Sequence, residues 1–454
     1  MLTILGLGMI MCFMYLIMSK RLSALVALTL IPIIFALLTY VLSLFVDNLA
    51  GFDIAELGNM MMEGIKKLAP TGVMLLFAIL YFAIMIDTGL FDPSVKWILK
   101  QVKGDPLKVT LGTITLTLIV SLDGDGSTTY MICVAAMLPL YKRIGMSPLI
   151  MACLMMLASG IMNLTPWGGP TARAATALHV DPNDVFVPMI LPMLVAIGWL
   201  YFLGFMYGRM ERKRIGIVEL DISHGDSIQI SQEPEANRAH LRWFNALLTL
   251  VLMVCLVMGI LPAAILFMVA LCIALVVNYP DLDMQKRLVG NHSASALAVV
   301  GIIFAAGIFT GILSGTGMVE AMSQELVAII PESMGPYLAP ITAVISMPLT
   351  FFMSNDAFYF GVLPVLSEAA GHYGITPVEM ARASIVGQPV HLLSPLVPST
   401  YLLCGLAGIN FGEHQEFTIK WAVITCLVML VTAMVFGIFP LYSTLGESNT
   451  HAEL

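Results

Sequence analysis

Charged residues are scarce in this chain: only 11% of its 454 residues are Asp, Glu, Lys or Arg, whereas 59% are hydrophobic. Soluble globular domains contain about 25% charged residues, so this composition excludes that class of protein. A helix needs about 20 consecutive apolar residues to cross a bilayer, and the chain contains many such runs. The sequence therefore predicts an all-α, multi-pass membrane protein.

Paired cysteines and a removable signal peptide are also lacking. The seven cysteines lie singly, with no Cys-x-x-Cys spacing, so we expect neither a disulfide framework nor a zinc site. We likewise expect no permanently bound cofactor. The first apolar run, 1–18, lacks the preceding basic residues and the small-residue cleavage site of a signal peptide. We expect it to remain as a membrane span.

Ten apolar stretches have the length of a membrane span. They are 2–18, 22–46, 68–90, 147–180, 185–208, 243–260, 261–278, 292–315, 375–408 and 417–442. Loops rich in Lys and Arg remain cytoplasmic. In this chain such loops alternate with loops poor in these residues, with an exception at Lys66 and Lys67. The alternation predicts that both termini lie outside.

Two further apolar stretches carry aspartate and are predicted to enter the membrane and return. The first, 106–146, has basic residues at both ends, and each arm has about 16 residues, or roughly 24 Å of helix. The second, 336–373, lacks basic residues at its ends and is expected to enter from the opposite side. Ionisable groups at membrane depth usually mark substrate, ion or proton sites. We therefore predict metal or proton binding at Asp123, Asp125 and Asp356.

The two halves of the chain share motifs at a nearly constant offset. A Gly-x-x-Pro motif occurs at 145–148 and again 229 residues later at 374–377, and three further matches lie at offsets of 228 to 231. Such internal similarity is typical of transporters built from repeats. Each repeat would contain five spans and one hairpin, and since five is odd the second would be inverted. The predicted divisions are a first repeat 1–208, a cytoplasmic linker 209–242, a second repeat 243–442 and a polar tail 443–454.

The span that follows each hairpin is interrupted by proline and glycine, which a continuous helix does not tolerate. These two broken helices are predicted over 147–180 and 375–408. Unpaired backbone inside a bilayer is tolerated only where it lines a cavity. The two breaks and the two hairpin tips are therefore predicted to enclose one central site, although a simple kink is the alternative.

Polar residues and glycines at these four discontinuities are the candidate substrate ligands. They are Ser127, Thr128, Asn163, Thr165, Gly168, Gly169, Arg173, Ser354, Asn355, His391, Ser394, Ser399 and Thr400. Structural explanations stay open for them: the aspartates could be satisfied carboxylates, and the polar groups at the tips could cap helices. Arg173 could reach the membrane interface instead of binding a carboxylate or pairing with an aspartate. His391 could be a packed imidazole instead of a proton-linked group.

At these residues the chain resembles the citrate–metal/proton symporter (CitMHS-like) family of the ion transporter superfamily. The segments that carry the likeness are 121–129, 163–177, 354–359 and 388–401. The resemblance implies uptake of citrate as a complex with a divalent metal such as magnesium or calcium, by symport with protons. It also implies a homodimer, surrounded by lipid in a bacterial plasma membrane, that works by an elevator motion.

Sodium-coupled dicarboxylate carriers of the same superfamily hold substrate carboxylate with Ser-Asn-Thr at both hairpin tips. The resemblance gives that role here to Ser127, Thr128, Ser354 and Asn355, whereas Asp356 replaces the final threonine. Free citrate near pH 7 is close to a trianion, and three aspartates would repel it. A citrate complex of a hard divalent cation carries about −1 charge, and its metal accepts carboxylate oxygens. These aspartates therefore favour a metal complex as substrate.

Several other functional classes can be weighed against the sequence. A sodium-coupled carrier for a free organic acid or sugar acid is the main alternative. Intramembrane aspartyl proteases are marked by the motifs Tyr-Asp and Gly-x-Gly-Asp, and lipid phosphotransferases by Asp-Gly-x-x-Ala-Arg. The sequence has neither pattern, so we expect no enzyme. A channel is a further alternative, but inverted broken-helix repeats favour alternating access. We expect no nucleic-acid partner.

Overall fold

The computed structural model describes residues 1–19, 21–45, 54–102, 104–124, 126–217, 234–331 and 333–443. Regular secondary structure in these residues is helical. The α-helices are α1 Leu2–Met18, α2 Ala24–Ser43, α3 Ile54–Asp87, α4 Asp92–Val102, α5 Pro106–Val120, α6 Gly126–Ile144, α7 Pro148–Met162, α8 Gly169–Leu178, α9 Pro182–Ile215, α10 Arg242–Val257, α11 Ala263–Asn278, α12 Leu282–Gly315, α13 Met318–Ile329, α14 Leu338–Phe352, α15 Leu363–Gly371, α16 Pro377–Ser384, α17 Gln388–His391, α18 Pro398–Ala407 and α19 Phe411–Val435.

Eight helices of the described residues are long and apolar enough to cross a membrane. They are α2, α3, α9, α12 and α19, together with α5, α10 and α14 extended by an adjoining 3-10 turn. Shorter apolar helices include α1, α7 and α11. Six of the ten predicted spans are among these eight helices, and the other two of the eight, α5 and α14, are arms of the predicted hairpins. The four remaining predicted spans are the two broken helices and the helices α1 and α11, which have only 17 and 16 residues.

Both predicted broken helices are interrupted in the structure. The first consists of α7 and α8, separated at 163–168, and the second consists of α16 and α17 followed after 392–397 by α18. Both predicted hairpins are helix–turn–helix segments. α5 and α6 are joined by a 3-10 turn at Ser121–Asp123, and α14 is followed by a π-helical turn at Ala357–Val362 that leads into α15.

Several predicted boundaries were wrong. The span at 68–90 belongs to the 34-residue helix α3, and the span at 292–315 belongs to α12, also 34 residues long. Hydropathy detects only the apolar part of such helices, whereas their backbone hydrogen bonds continue through the polar turns. At the other end of the chain, α19 ends at Val435 instead of 442, because Gly437 adopts φ +64° in a left-handed helix-terminating turn.

The predicted linker also begins later than expected, since α9 continues to Ile215. Its last turn holds Arg212, Lys213 and Arg214, and positive side chains stabilise the negative end of a helix dipole. The basic residues that predicted a loop therefore belong to a helix end. Residues 218–233 of the linker, the predicted site residue Asp125 and the tail beyond 443 lie outside the described residues.

The order of the helices recurs along the chain. α3 and α12 have the same length and begin 228 residues apart, while α8 and α18 both have 10 residues and begin 229 residues apart. A short helix, a hairpin, a broken helix and a final long helix follow in the same order in both halves. This recurrence favours two repeats, and the inversion of the second stays a prediction.

Buried side chains form two large hydrophobic clusters. One is centred on α3 and α12 and includes side chains of α1, α2, α10 and α11; we call these six helices the glycine-packed region. The other is built mainly by α5–α9 and α14–α19, which we call the hairpin region. Trp167, Ala172 and Phe360 of the hairpin region pack into the first cluster. The two regions meet along these residues.

Candidate substrate site

A cavity of about 310 Å³ is lined by residues from all four discontinuities. Gly124 comes from the first hairpin turn, Asn163 and Gly169 come from the first break, Asn355 comes from the second hairpin, and Ser399 follows the second break. These elements are far apart in sequence and come together because each hairpin packs against the broken helix of its own half and also contacts that of the other half. We call this space the inner cavity.

A second cavity, of about 420 Å³, lies between the hairpin region and the glycine-packed region. Apolar side chains of α3 and α12, including Ile79, Phe82 and Ile303, form one wall. The opposite wall is polar, with Asp123, Ser127, Thr128 and Arg173 among its residues. This volume is within the usual range for small-molecule sites, which are largely apolar with a few placed polar groups. We call this space the interface cavity.

Arg173 lines both cavities and forms an ion pair with Asp356. Its Nε lies 2.6 Å from Asp356 Oδ1, and its Nη1 donates to the carbonyl oxygen of Gly169 at 3.1 Å. The two side chains are 20% and 14% exposed. A guanidinium has five N–H donors in a planar fork, so Arg173 retains donors for a substrate carboxylate. Of the two functional roles predicted for Arg173, the structure shows pairing with an aspartate.

The turn of the first hairpin presents both a carboxylate and a helix N-terminus. Asp123 is 7% exposed and accepts a hydrogen bond from Thr129 Oγ1 at 3.3 Å. Ser127 and Thr128 lie in the first turn of α6, which begins at Gly126. Backbone N–H groups at a helix N-terminus favour an anion. This turn therefore combines groups for a cation and for a carboxylate.

Trp167 attaches the first break to the hairpin turn and to the glycine-packed region. Its Nε1 donates to the carbonyl oxygen of Leu122 at 3.0 Å, and its ring lies 5.4 Å from that of Phe82 and 5.2 Å from that of Phe267. A Cβ at Gly124 would lie 2.9 Å from Trp167 Cδ1, and Gly124 has φ +76°. Both the backbone conformation and the space therefore require glycine at this turn.

The second hairpin uses its polar residues partly for local structure. Ser354 Oγ accepts from the backbone N–H of Ala357 at 3.2 Å, which is the capping alternative. Asn355 lines the inner cavity and exchanges hydrogen bonds with Gln388 at 3.3 and 3.2 Å. Gln388 also donates to the hydroxyl of Tyr359 at 2.8 Å. This network fixes the tip of the hairpin against the second broken helix.

Two of the other candidate substrate ligands at the breaks form hydrogen bonds to backbone groups. Ser394 Oγ accepts from the N–H of Leu396 at 3.1 Å, and Thr400 Oγ1 donates to the carbonyl oxygen of Leu392. Thr165 is 2% exposed and does not line either cavity.

Gly168 is required for the close packing of the first break. A Cβ at this residue would lie 2.0 Å from the carbonyl oxygen of Asn163. Any side chain at Gly168 would therefore displace the chain that forms the inner cavity.

His391 lines the inner cavity and is held by the first arm of the second hairpin. Its Nδ1 lies 2.6 Å from the carbonyl oxygen of Thr350. Because a carbonyl oxygen only accepts, Nδ1 carries the hydrogen. The imidazole is 7% exposed, so it is packed at the cavity wall and oriented by this bond.

Sequence reasoning missed an acidic–histidine pair at the interface cavity. His292 of α12 lines this cavity, and its Nε2 lies 2.6 Å from Asp87 Oδ2 at the end of α3. Asp87 falls inside the predicted span 68–90, so the argument applied to the hairpin aspartates would have singled it out. The pairing itself had no local signal, since 205 residues separate the two side chains.

No group of three or more His, Cys, Asp and Glu residues is placed to hold a metal ion within the part of the chain that the structure describes. Asp123 lies at the interface cavity, Asp356 is paired with Arg173, and Asp125 is outside the described residues.

Comparison with known proteins identifies the family. The model of the citrate transporter family CitMHS matches residues 13–387. The chain belongs to this family. A protein of Bacillus subtilis (strain 168) named "Citrate transporter" is 56% identical over 441 residues, covering 96% of this chain and 99% of the relative. The "Mg(2+)/citrate complex secondary transporter" of the same organism is 52% identical over 440 residues, with the same coverage.

Solved structures with low sequence identity share the fold. The Alcanivorax borkumensis YdaH transporter has a TM-score of 0.58 at 13% identity, covering 91% of this chain and 99% of that one. Neisseria gonorrhoeae MtrF, described among antimetabolite efflux pumps, has a TM-score of 0.63 at 14% identity, with 91% and 96% covered. Family, fold and apolar helices confirm an all-helical, multi-pass transporter of the bacterial plasma membrane rather than an enzyme.

Proposed function

We propose that the protein takes up citrate as a complex with a divalent metal, coupled to protons, by alternating access. The observation that supports this most is the mixed charge of the two adjoining cavities. Arg173 and the N-terminus of α6 suit carboxylates, while Asp123 and Asp356 suit a cation. A ligand that carries both charges satisfies both sets of groups, and the names of the two Bacillus subtilis relatives include citrate and Mg2+/citrate.

The metal in this proposal arrives already bound to citrate. Magnesium and calcium take oxygen ligands, and citrate itself supplies several of them, so the protein needs to add only a few. A substrate carboxylate that binds the planar fork of Arg173 competes with Asp356 for the same guanidinium. Asp356 is then released from its ion pair and becomes available to the metal. Asp123, and Asp125 beside it in sequence, complete the proposed set of metal or proton ligands.

The hydroxyl and amide groups around the cavities hold the remaining carboxylates in this proposal. Ser127 and Thr128 act from the interface cavity, and Asn163, Asn355 and Ser399 act from the inner cavity. Ser354, Ser394 and Thr400 support them through the backbone. Because the second group of residues fixes the backbone, the polar ligands of the first group are already oriented before substrate binds.

Alternating access would arise from movement of the hairpin region past the glycine-packed region. Apart from His292, the wall of the interface cavity on α3 and α12 is apolar, and apolar side chains make no directional bonds that would have to break during sliding. The glycine-packed region would be the fixed scaffold of a homodimer, and the hairpin region would be the transport domain of an elevator. Inverted repeats would give the inward- and outward-open states related packing.

Uptake of labelled citrate into proteoliposomes tests this function. We expect uptake with divalent metals added one at a time, no uptake with EDTA, and stimulation by an imposed pH gradient. Undiminished uptake of free citrate in EDTA would rule out the metal complex as substrate. Uptake that requires sodium and ignores divalent metals would instead support the sodium-coupled carrier.

A further inference from the structure

Two acid–base side-chain pairs, one from each region of the molecule, reach the interface cavity through Arg173 and His292, which line it. Arg173 and Asp356 form the first, at 2.6 Å, and His292 and Asp87 form the second, also at 2.6 Å. Arg173 is always charged, whereas an imidazole ordinarily exchanges its proton between pH 5 and 8. The second pair faces the same cavity as the first, through His292.

The second pair is largely buried, so its charge interacts strongly with a ligand in the cavity. The Asp87 side chain is 2% exposed, and that of His292 is 20% exposed, with His292 at the cavity wall. Without the imidazole proton the pair has a net charge of −1, and with it the pair is neutral. Burial keeps water from screening this difference, so an anion in the cavity experiences it strongly.

Two charged groups, one beyond the end of α3 and one on α12, have partners of opposite charge. Beyond the end of α3, Asp92 lies 3.7 Å from Arg242. On α12, Arg287 lies 3.1 Å from Glu235. Within the cavity itself, the charged groups are Arg173 of α8, paired with Asp356, and Asp123 of the first hairpin turn. The proton on His292 therefore determines how the wall formed by α3 and α12 acts on an anion.

We propose that His292 is a substrate-binding residue that contacts the anionic metal–citrate complex from the wall opposite Arg173, and that its proton, shared with Asp87, sets the affinity. This inference rests on the proposed function and adds a residue and a pH response to it. The protonated imidazole attracts the complex, while the unprotonated pair repels it. Proton and complex then strengthen each other's binding by the same factor, as linkage requires.

The location on α3 and α12 restricts this effect to the conformation described here. The glycine-packed region supplies His292, and the hairpin region supplies Arg173 and Asp123. A shift of one region past the other would separate the complex from His292. Affinity for the complex would then respond to pH on the side of the membrane to which the interface cavity opens, and much less on the other side.

Binding of the metal–citrate complex to the purified protein tests the proposal. Affinity is measured from pH 8 to pH 6 at matched concentrations of the complex. We expect affinity to rise with acidity in the wild type, by up to about tenfold per pH unit for one linked proton. His292→Gln keeps a donor for Asp87 but cannot titrate, and we expect its affinity to rise several-fold less over this range than that of the wild type. An unchanged pH response in this variant would overturn the inference.

Control variants separate this inference from the proposed function. His372, exposed at the end of α15, provides the matched control, and His372→Gln should retain the wild-type response. If the wild type binds no metal–citrate at any pH, the proposed function fails; if it binds and His292→Gln behaves like the wild type, only the inference fails. A pH response abolished by His391→Gln but retained in His292→Gln would assign the proton to the inner cavity instead.

Asp87→Asn tests the same pair independently, in case His292→Gln does not fold. Asp87→Asn keeps the size of the side chain but removes the charge that stabilises the imidazolium. We expect the rise in affinity to move to lower pH while its steepness remains. The wild-type pH response in Asp87→Asn would contradict the proposed pair.

Discussion

The glycine-packed region and the hairpin region are held together in different ways. In the first, α3 and α12 approach so closely that a Cβ at Gly64 would lie 1.9 Å from the carbonyl oxygen of Gly307. In the second, side chains bond to interrupted backbone, as in Thr171 Oγ1 to the carbonyl oxygen of Leu164 at 2.8 Å. Close contact along two whole helices resists local change, whereas broken helices expose polar groups to a ligand. Close helix packing thus characterises the glycine-packed region, and most of the polar groups that line the cavities belong to the hairpin region.

The largest effect should come from filling the contact between α3 and α12. We expect Gly64→Ala to force the helices apart and to lower stability by about 1–3 kcal/mol or more. The matched control is Gly58→Ala on the same helix, where a Cβ would meet nothing within 4 Å; it should be neutral or stabilising by up to about 1 kcal/mol. Thermal unfolding followed by fluorescence-detected size exclusion compares the two. Equal stability in both variants would contradict the importance of this contact.

The next effect concerns the ion pair of the hairpin region. Arg173→Lys keeps the charge but loses the planar fork that bonds to Asp356 and Gly169 and that would bind a substrate carboxylate in place of Asp356. We expect the KM for citrate to rise several-fold or uptake to disappear, while the protein still reaches the membrane. Uptake kinetics in proteoliposomes provide the measurement. Wild-type kinetics would show that the Arg173 fork is not needed for substrate binding.

Aspartate variants separate metal binding from proton coupling in the hairpin region. Asn keeps the size of Asp but neither carries charge nor titrates. We expect Asp356→Asn to need far more metal for half-maximal uptake, with citrate-dependent proton movement retained. Asp123→Asn or Asp125→Asn should instead lose the response to a pH gradient while citrate exchange continues. Normal coupled uptake in all three single variants would exclude a mechanism based on these carboxylates.

The smallest effect should come from the capping residue of the second hairpin. Ser354→Ala removes the acceptor for the Ala357 N–H and should lower stability by about 1 kcal/mol. If Ser354 only caps the backbone, the KM for citrate stays near the wild-type value. A several-fold rise in KM at unchanged stability would instead show direct contact with a carboxylate. Parallel melting and uptake measurements distinguish these results.

Local sequence signals predicted much of this molecule. Hydropathy predicts which apolar stretches are long enough to span a membrane. Proline and glycine predict the interruptions at 163–168 and 392–397, because these residues restrict or loosen the backbone where they occur. The hairpin turn near Asp123 was likewise marked by its glycines and by charge in apolar sequence. These features depend on neighbouring residues, so the sequence alone determined them, together with the family.

Only the tertiary structure decided which distant side chains meet. Asp356 pairs with Arg173, 183 residues away, and Asp87 pairs with His292, 205 residues away. Ser354 Oγ accepts from the N–H of Ala357 in the structure, and its role in holding substrate stays a prediction. Contacts of this kind depend on how whole helices pack, and no spacing of residue types along the chain encodes them. The sequence alone determined where the backbone breaks, and packing determined which charges face one another there.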